Sequence, residues 1–323
     1  MEYRTLGKTG LSVSLIGFGA SPLGDEFRKT DPAEGARAVH SAIDQGINFF
    51  DVSPYYGRTL AEERLGAALN GRRDKVILAT KCGRYDKSTF DFSAQRLYRS
   101  IDESLARLRT DYVDLLQLHD IEFADYAQIV EEAVPALRVI QRSGKARFIG
   151  ITGLPLKILH AVASAVDVDS ILSYCRYNFL ITDLDKDVTP LCRQRNIGLI
   201  NASPLHMGVL TNHGAPDWHP APEAVKDAGR RVAETCSRYG VDVSSVALRF
   251  CLNHPDVAST LVGMADPAHV LKNIATLDLE VEPALLAEIA AIVAPVKDIT
   301  WSSGEAVNND ADPTPLAPHP GKA

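Results

Sequence analysis

Val76-Ile77-Leu78-Ala79-Thr80-Lys81-Cys82 is a short, almost continuous apolar run that carries one charged side chain near its end. Apolar residues at helical spacing follow it over residues 93–108. Continuous apolar runs of this length are typical of strands that are buried on both faces, as in a parallel sheet covered by helices. The sequence therefore predicts a strand followed by a helix in this region.

The same strand–helix unit recurs along the chain. The apolar runs of strand length cover residues 14–19, 48–53, 76–82, 113–119, 146–152, 170–175, 198–203 and 259–264. The helical patterns between them cover residues 32–45, 60–69, 93–108, 127–142, 156–165, 185–195, 223–239 and 244–253. A length of 323 residues allows either two domains or one large barrel. Because the alternation has no break in composition, it favours a single α/β fold, the (β/α)8 TIM barrel.

Two terminal segments differ from this pattern. Residues 3–14 contain two short alternating runs around a glycine-containing turn, which predicts an N-terminal β-hairpin that caps the barrel. Residues 308–320 are polar and rich in proline, and such a segment cannot build a core of its own. We therefore expect a single barrel domain over residues 1–305 and a disordered C-terminal tail over residues 306–323.

The composition argues against several classes of protein. The net charge of −7 provides no general positive field, so neither nucleic acid nor an anionic membrane is expected as a partner. The five cysteines have no metal-ligand spacing, and no metal site is expected. Their odd number, and an N-terminal segment without the apolar core of a signal peptide, indicate a reduced, cytoplasmic protein. We expect a monomer or a weak homo-oligomer.

Three neighbouring strands of the predicted barrel end on polar side chains. Asp51, Lys81 and His119 close the second, third and fourth runs, and Tyr56 lies in the loop that follows Asp51. The carboxyl ends of barrel strands build the active site, so these four side chains are expected to converge. Each has a structural alternative, since a buried Asp–Lys pair or a strand-end histidine is often only a satisfied core group. Their occurrence together favours a proton-transfer site.

The residues around these positions resemble the motifs of the aldo-keto reductases. The strings that carry the resemblance are Asp51-Val52-Ser53-Pro54-Tyr55-Tyr56-Gly57, Thr80-Lys81-Cys82-Gly83 and Asp114-Leu115-Leu116-Gln117-Leu118-His119. Longer strings, at residues 17–24, 81–85, 119–123, 150–155, 173–175, 218–221 and 301–304, resemble the L-galactose dehydrogenase branch. The match extends from Arg4 to about Asn273.

The resemblance implies that Tyr56 transfers a proton while a nicotinamide cofactor exchanges a hydride. Lowering the pKa of a phenol by two to three units takes roughly 3 to 4 kcal/mol. One ammonium at about 4 Å supplies on the order of 4 kcal/mol at an effective dielectric constant of 20. We therefore expect Lys81 to lower the pKa of Tyr56, Asp51 to keep Lys81 charged, and His119 to hydrogen-bond the reacting oxygen.

The cofactor is expected at the strand ends rather than on a Rossmann loop, because Pro22 replaces the third glycine after Gly17-Phe18-Gly19. By resemblance, the cofactor-binding residues are Gly19, Ala20, Asp51, Thr152, Tyr174, Ser203, Leu205, Gly208, Gly263, Asp266, His269 and Asn273. Three usual nicotinamide contacts of the family differ here, at Thr152-Gly153, Tyr174 and Ala202. Gly263 and His269 stand where NADP-binding relatives carry Lys and Arg, and acidic Asp266 lies between them, so NAD is predicted.

The resemblance implies oxidation of the anomeric carbon of an aldose to the aldonolactone. The expected substrate is L-galactose, or a sugar of the same ring stereochemistry such as L-fucose. Tyr56 and His119 are expected to contact it, with His206, Trp218 and Trp301 as candidate pocket walls. One alternative is an NADPH-dependent general aldehyde or ketone reductase. A second is a nucleotide-binding redox-sensing subunit with slow turnover, and a third is a barrel isomerase or aldolase in which Lys81 forms a Schiff base with the substrate.

Overall fold

Eight parallel strands close into a barrel in the computed structural model of the protein, which describes residues 1–26 and 29–317. The strands are β1 Tyr3–Thr5, β2 Ser12–Ser14, β3 Ile16–Gly19, β4 Phe49–Asp51, β5 Ile77–Cys82, β6 Val113–Leu118, β7 Ala146–Gly153, β8 Ser170–Tyr174, β9 Gly198–Ala202 and β10 Val257–Gly263. The barrel order is β10-β3-β4-β5-β6-β7-β8-β9, and every neighbouring pair is parallel. This architecture confirms the predicted (β/α)8 barrel.

Helices follow the barrel strands and cover them. They are α1 Pro32–Asp44, α2 Leu60–Ala68, α3 Ala94–Leu108, α4 Tyr126–Gln128, α5 Val134–Arg142, α6 Leu156–Ala165, α7 Val188–Arg195, α8 Glu223–Arg238, α9 Val243–Leu252, α10 Pro267–Ala275 and α11 Pro283–Val293. A π-helical segment, Ile129–Ala133, joins α4 to α5. The sequence analysis did not assign α11, an apolar helix that packs on α8. No helix in the described ranges is long and apolar enough to cross a membrane.

Aspartate side chains cap the N-termini of several helices. Asp31 accepts hydrogen bonds from the backbone N–H groups of Ala33 and Glu34 at the start of α1. Asp266 accepts one from Ala268 at the start of α10, and Asp242 one from Ser245 at the start of α9. An aspartate at this position satisfies backbone donors that the helix itself leaves free.

The N-terminal hairpin closes one end of the barrel. Strands β1 and β2 pair antiparallel, with Tyr3 opposite Ser14. Leu6, Leu11 and Val13 are buried and pack against inward-facing apolar side chains of the barrel strands. The predicted cap is therefore confirmed, and it leaves the carboxyl ends of the barrel strands as the open end.

The C-terminal segment is more ordered than expected. Asn308 is fully buried, and its Nδ2 donates to the carbonyl groups of Glu122 and Ala124 at 3.0 and 2.9 Å. Asp310 forms an ion pair of 2.8 Å with buried Arg176. The expectation of a tail that is disordered from residue 306 is therefore corrected for residues 306–317, because polar contacts to the barrel hold a segment that has no core of its own. The rest of the tail, 318–323, lies outside the described residues.

Candidate active site

Asp51, Lys81, His119 and Tyr56 lie together at the open end of the barrel. The Lys81 ammonium forms an ion pair with Asp51 and donates to the Val52 carbonyl at 3.0 Å. Its Nζ lies 3.3 Å from the Tyr56 hydroxyl. The ring centroids of Tyr56 and His119 are 5.6 Å apart. The structure thus brings the four residues singled out from the strand ends into one constellation.

The charge of Lys81 is maintained although its side chain is only 1% exposed. Burial by itself would lower the pKa of Lys81, but Asp51 and Tyr56 outweigh this effect and raise it. The Gln117 amide donates to the second oxygen of Asp51 at 3.0 Å. The sequence analysis did not assign this role to Gln117. The sequence did contain a signal for this role. Gln117 lies two residues before His119 in the predicted strand 113–119, so the two side chains are expected on the same face.

His119 is a neutral hydrogen-bonding group. Burial lowers its pKa to about 3, and the nearby Lys81 and Arg84 charges act in the same direction. Its Nδ1 lies 2.9 Å from the Ser53 hydroxyl, which accepts from the Tyr55 backbone N–H at 3.1 Å. With the Ser53 hydroxyl as donor, the imidazole proton resides on Nε2, the nitrogen that can bind a substrate oxygen. The sequence analysis did not single out Ser53.

The Tyr56 hydroxyl differs from the expectation. Burial raises its pKa to about 12, and the Lys81 ammonium opposes this shift without cancelling it. The Coulomb estimate from the sequence omitted the cost of removing a phenolate from water, which is the largest contribution here. Without further positive charge beside it, Tyr56 is therefore protonated at neutral pH.

An acidic group lies next to His119 on the same loop. Asp120 forms an ion pair with Arg84, and its carboxylate is 3.8 Å from His119 Nε2. The Asp120 backbone N–H donates to Thr152 Oγ1 at 3.0 Å. The Arg84 guanidinium lies 3.9 Å from the ring centroid of Tyr55. The pair therefore borders the constellation, although the sequence analysis singled out neither residue on its own.

A buried carboxyl group supports the ends of the next two strands. Glu122 accepts from the Tyr174 hydroxyl at 3.3 Å and from the Ser303 hydroxyl at 3.0 Å. Burial, together with the nearby charge of Asp120, raises the pKa of Glu122 to about 8. Its second oxygen has no hydrogen-bond partner in the part of the chain that the structure describes. That oxygen occupies the space beside Gly153, where a Cβ atom would come within 2.8 Å of it.

The profile of the Aldo/keto reductase family matches residues 15–294. The chain belongs to the aldo/keto reductase family. An L-galactose dehydrogenase from Arabidopsis thaliana is 47% identical over 94% of this chain and 98% of that protein. A D-threo-aldose 1-dehydrogenase from Pseudomonas sp is 30% identical over 87% of this chain and 94% of that protein. The solved structure of an aldo-keto reductase from Bacillus halodurans, in its holo form, matches with a TM-score of 0.77 and 26% identity, over 93% of this chain and 98% of that one.

As an aldo/keto reductase, the protein is an oxidoreductase that uses a nicotinamide cofactor. The residues predicted to bind this cofactor lie at or just beyond the carboxyl ends of six barrel strands. They are Gly19 and Ala20 at β3, Asp51 at β4, Thr152 at β7, Tyr174 at β8, Ser203, Leu205 and Gly208 after β9, and Gly263, Asp266, His269 and Asn273 at and after β10. This common location is compatible with one extended ligand. Their contacts to a cofactor stay a prediction.

The loop after β9 has an unusual backbone. Ser203, His206, Met207 and Gly208 all have positive φ angles, between 49° and 104°. Such conformations are costly for residues other than glycine and concentrate at binding and catalytic sites. Successive residues of this kind can turn backbone N–H groups toward an anion. The backbone N–H groups of His206 and Gly208, however, already donate to the Ser203 and Leu205 carbonyl groups within the loop, so diphosphate binding here stays a prediction.

The predicted adenosine end contains few positive charges. Asp266 caps α10, and His269 is exposed on the same helix. The Lys272 ammonium is engaged with Asp242 at 3.0 Å. A Cβ atom on Gly263 would lie 3.1 Å from the Pro22 ring, which would have to shift by a few tenths of an ångström to accommodate a side chain here. The choice between NAD and NADP stays a prediction.

The three predicted pocket-wall residues come together in one aromatic cluster. His206 is fully buried, and its ring centroid lies 5.3 Å from that of Trp301. Trp218 is 58% exposed and stacks on His219, which in turn contacts Trp301. Within residues 1–26 and 29–317, no hydrogen bond or ring contact joins this cluster to Tyr56 or His119. Their substrate role stays a prediction.

The described part of the chain contains no group of three or more His, Cys, Asp or Glu side chains that could hold a metal ion. All five cysteines are free and buried.

Proposed function

We propose that this aldo/keto reductase is an aldose 1-dehydrogenase that oxidises the anomeric carbon of L-galactose, or of a sugar with the same ring stereochemistry such as L-fucose, to the aldonolactone. NAD is the proposed hydride acceptor. The observation that carries the substrate class is the 47% identity to a plant L-galactose dehydrogenase over 94% of the chain. The second relative, at 30% identity, also bears the name of an aldose 1-dehydrogenase.

The proton chemistry for this reaction comes from a tetrad of side chains, Asp51, Tyr56, Lys81 and His119. Oxidation removes a hydride from C1 and a proton from the hydroxyl on C1, leaving the lactone carbonyl. The Tyr56 oxygen takes the proton, and Lys81 Nζ, 3.3 Å away, stabilises the phenolate. His119, neutral at working pH, donates from Nε2 to the same substrate oxygen and orients it. Asp51 keeps Lys81 protonated although both side chains are buried.

The raised pKa of Tyr56 bears on the direction of the reaction. A tyrosine with a pKa of about 12 is a proton donor at neutral pH, which suits reduction of a carbonyl group. When bound, an oxidised nicotinamide supplies both the hydride acceptor and a positive charge that lowers the pKa of a neighbouring phenol. Oxidation of the sugar therefore becomes faster as pH rises toward that lowered pKa.

The preference for NAD rests on the adenosine end. A 2′-phosphate placed there would meet the Asp266 carboxylate rather than a cation. The loss of two charge-assisted hydrogen bonds, at about 1.5 to 3 kcal/mol each, weakens NADP by roughly two to four orders of magnitude.

The test is a panel of aldoses assayed with NAD and with NADP through the absorbance of the reduced cofactor. We expect L-galactose or L-fucose to be the best substrate, with kcat/KM at least 100-fold higher with NAD than with NADP. Gly263→Lys combined with His269→Arg should narrow that ratio, and Leu286→Ala on distant α11 serves as the matched control. Equal or better efficiency of the wild-type enzyme with NADP would contradict the NAD proposal.

One alternative is favoured by a specific observation. The protonated state of Tyr56 suits a general aldehyde or ketone reductase that uses the same tetrad in reverse. Reduction of simple aldehydes with a kcat/KM above that of aldose oxidation would establish this alternative. The cytoplasmic location and the monomeric or weakly oligomeric state stay predictions.

A further inference from the structure

We propose that Asp120, together with Arg84, forms a subsite that binds the C2 hydroxyl of the sugar and thereby makes the enzyme selective for 2-hydroxy aldoses. The proposal rests on the proposed aldose oxidation and names a substrate contact within that site. It is carried by the position of a buried, incompletely paired carboxylate beside the reacting centre.

Asp120 does not play the role that aspartates play elsewhere in the chain. It immediately precedes a short 3-10 helical turn, Ile121–Phe123, but its side chain accepts no hydrogen bond from that turn. Asp31 and Asp266, in contrast, cap the helices that they precede. The Asp120 backbone is also left-handed, with φ of 55°, a conformation that costs energy for a residue with a side chain. The carboxylate is therefore turned away from its own helix and toward His119 and Arg84.

In the part of the chain that the structure describes, only one of the two carboxylate oxygens of Asp120 is paired. Asp120 is only 3% exposed, and one oxygen, Oδ2, is paired with Arg84. The other oxygen, Oδ1, accepts no hydrogen bond from the described residues. On the partner side, Arg84 Nε is buried and also without a partner among those residues. A buried charged pair with an unused acceptor and an unused donor is costly unless a ligand completes it.

The distances place this pair next to the reacting oxygen. That oxygen has to lie within hydrogen-bond distance of His119 Nε2, and Asp120 Oδ2 is 3.8 Å from the same nitrogen. In a pyranose, the oxygens on C1 and C2 are separated by about one hydrogen-bond length. A C2 hydroxyl can therefore reach Asp120 while the C1 oxygen is held by Tyr56 and His119.

The chemistry selects a hydroxyl group over the ring oxygen, the other oxygen close to C1. An ionised carboxylate only accepts hydrogen bonds, and the ring oxygen has no proton to donate. Burial acts to raise the pKa of Asp120, but its interactions with His119 and Arg84 outweigh burial and keep that pKa below its usual value. The rings of Tyr55, Phe90 and Phe123 lie 3.9, 5.3 and 5.5 Å from the Arg84 guanidinium, which restricts its movement.

The experiment compares L-galactose with 2-deoxy-L-galactose, using NAD and the full-length enzyme. For the wild type we expect kcat/KM to be about 10- to 100-fold lower with the deoxy sugar, since the buried pair is then left incomplete. Asp120→Asn should lower kcat/KM for L-galactose by a similar factor, while efficiency with the deoxy sugar stays within about threefold of wild type. Asp31→Asn, at an exposed helix-capping aspartate, is the matched control.

The outcomes separate the subsite from the proposed function. Wild-type enzyme that oxidises both sugars equally well overturns the subsite and leaves aldose oxidation standing. An Asp120→Asn variant that loses the same factor on both sugars also overturns it, because Asp120 then acts only through Arg84 or His119. If neither sugar is oxidised, both proposals fail. Should Asp120→Asn not fold, Arg84→Lys provides the same comparison, and equal oxidation of both sugars by the wild type still overturns the subsite.

Discussion

At the end of the barrel that the hairpin closes, the inward-facing side chains are apolar, whereas at the opposite end they are the charged and polar groups of the site. The two kinds of residue occur on the same strands. Strand β4 places buried Phe49 at its start and Asp51 at its end, and β5 places Ala79 two residues before Lys81. Because alternate residues of a strand share a face, the barrel interior changes from apolar to ionic within a single step along these two strands.

The closed end of the barrel contributes mainly to folding stability, and the open end carries the charged groups of the candidate site. Apolar packing at the closed end requires only that the side chains match in shape and volume. Leu6, Leu11 and Val13 of the hairpin fill this space. At the open end, each buried charge needs a partner, and Lys81, Asp51 and Gln117 satisfy one another. Substitutions at the two ends should therefore affect different measurable quantities.

The largest effect is expected at the open end. Tyr56→Phe removes the oxygen that is proposed to transfer the proton and should lower kcat by at least about a thousandfold. Cofactor binding, measured by fluorescence titration, and the melting temperature should change little, since the ring and its packing remain. A Phe variant with more than a tenth of wild-type turnover would remove Tyr56 from the mechanism.

An intermediate effect is expected at the closed end. Leu6→Ala empties part of a fully buried position and should lower the free energy of unfolding by about 2 to 5 kcal/mol. At a temperature where the variant remains folded, kcat should equal that of wild type. Leu286→Ala, at a partly exposed position on α11, is the control and should cost less than about 1 kcal/mol. A fall in kcat without a loss of stability would show that the two ends are not independent.

The smallest effect concerns pH. Burial lowers the pKa of His206 to about 3, so the folded state holds this ring neutral while the unfolded chain protonates it near pH 6.5. Stability is therefore lost as pH falls below about 6.5, by about 2 kcal/mol per such histidine between pH 7 and pH 5. His206→Asn should reduce the drop in unfolding free energy, measured in urea at both pH values, by about that amount. Replacement of the exposed His213 is the control, and an unchanged drop in His206→Asn would contradict the assigned burial effect.

Much of the architecture was predictable because its signals are local. The apolar runs and helical patterns identified the eight barrel strands, and strand bounds agree to within three residues. Asp51, Lys81 and His119 could be singled out because each ends such a run. The helix α11 was missed because its apolar pattern follows the last barrel unit and has no strand partner.

Other features depended on distances between residues that are remote in the chain. Asn308 is held by Glu122 and Ala124, so the order of the tail could not be inferred from its polar composition. Ser53 and Gln117 acquire their roles only because His119 and Asp51 lie beside them.

The amino-acid sequence by itself determined the barrel, its hairpin cap and the membership of the tetrad, because periodicity and the polar ends of strands are properties of neighbouring residues. Only the tertiary structure decided the protonation of that tetrad and the position of Asp120. The pKa of Tyr56 depends on how far burial outweighs Lys81, and the reach of Asp120 depends on its distance from His119. Desolvation and charge–charge interactions act through space, so they are defined only once the strands have closed into a barrel.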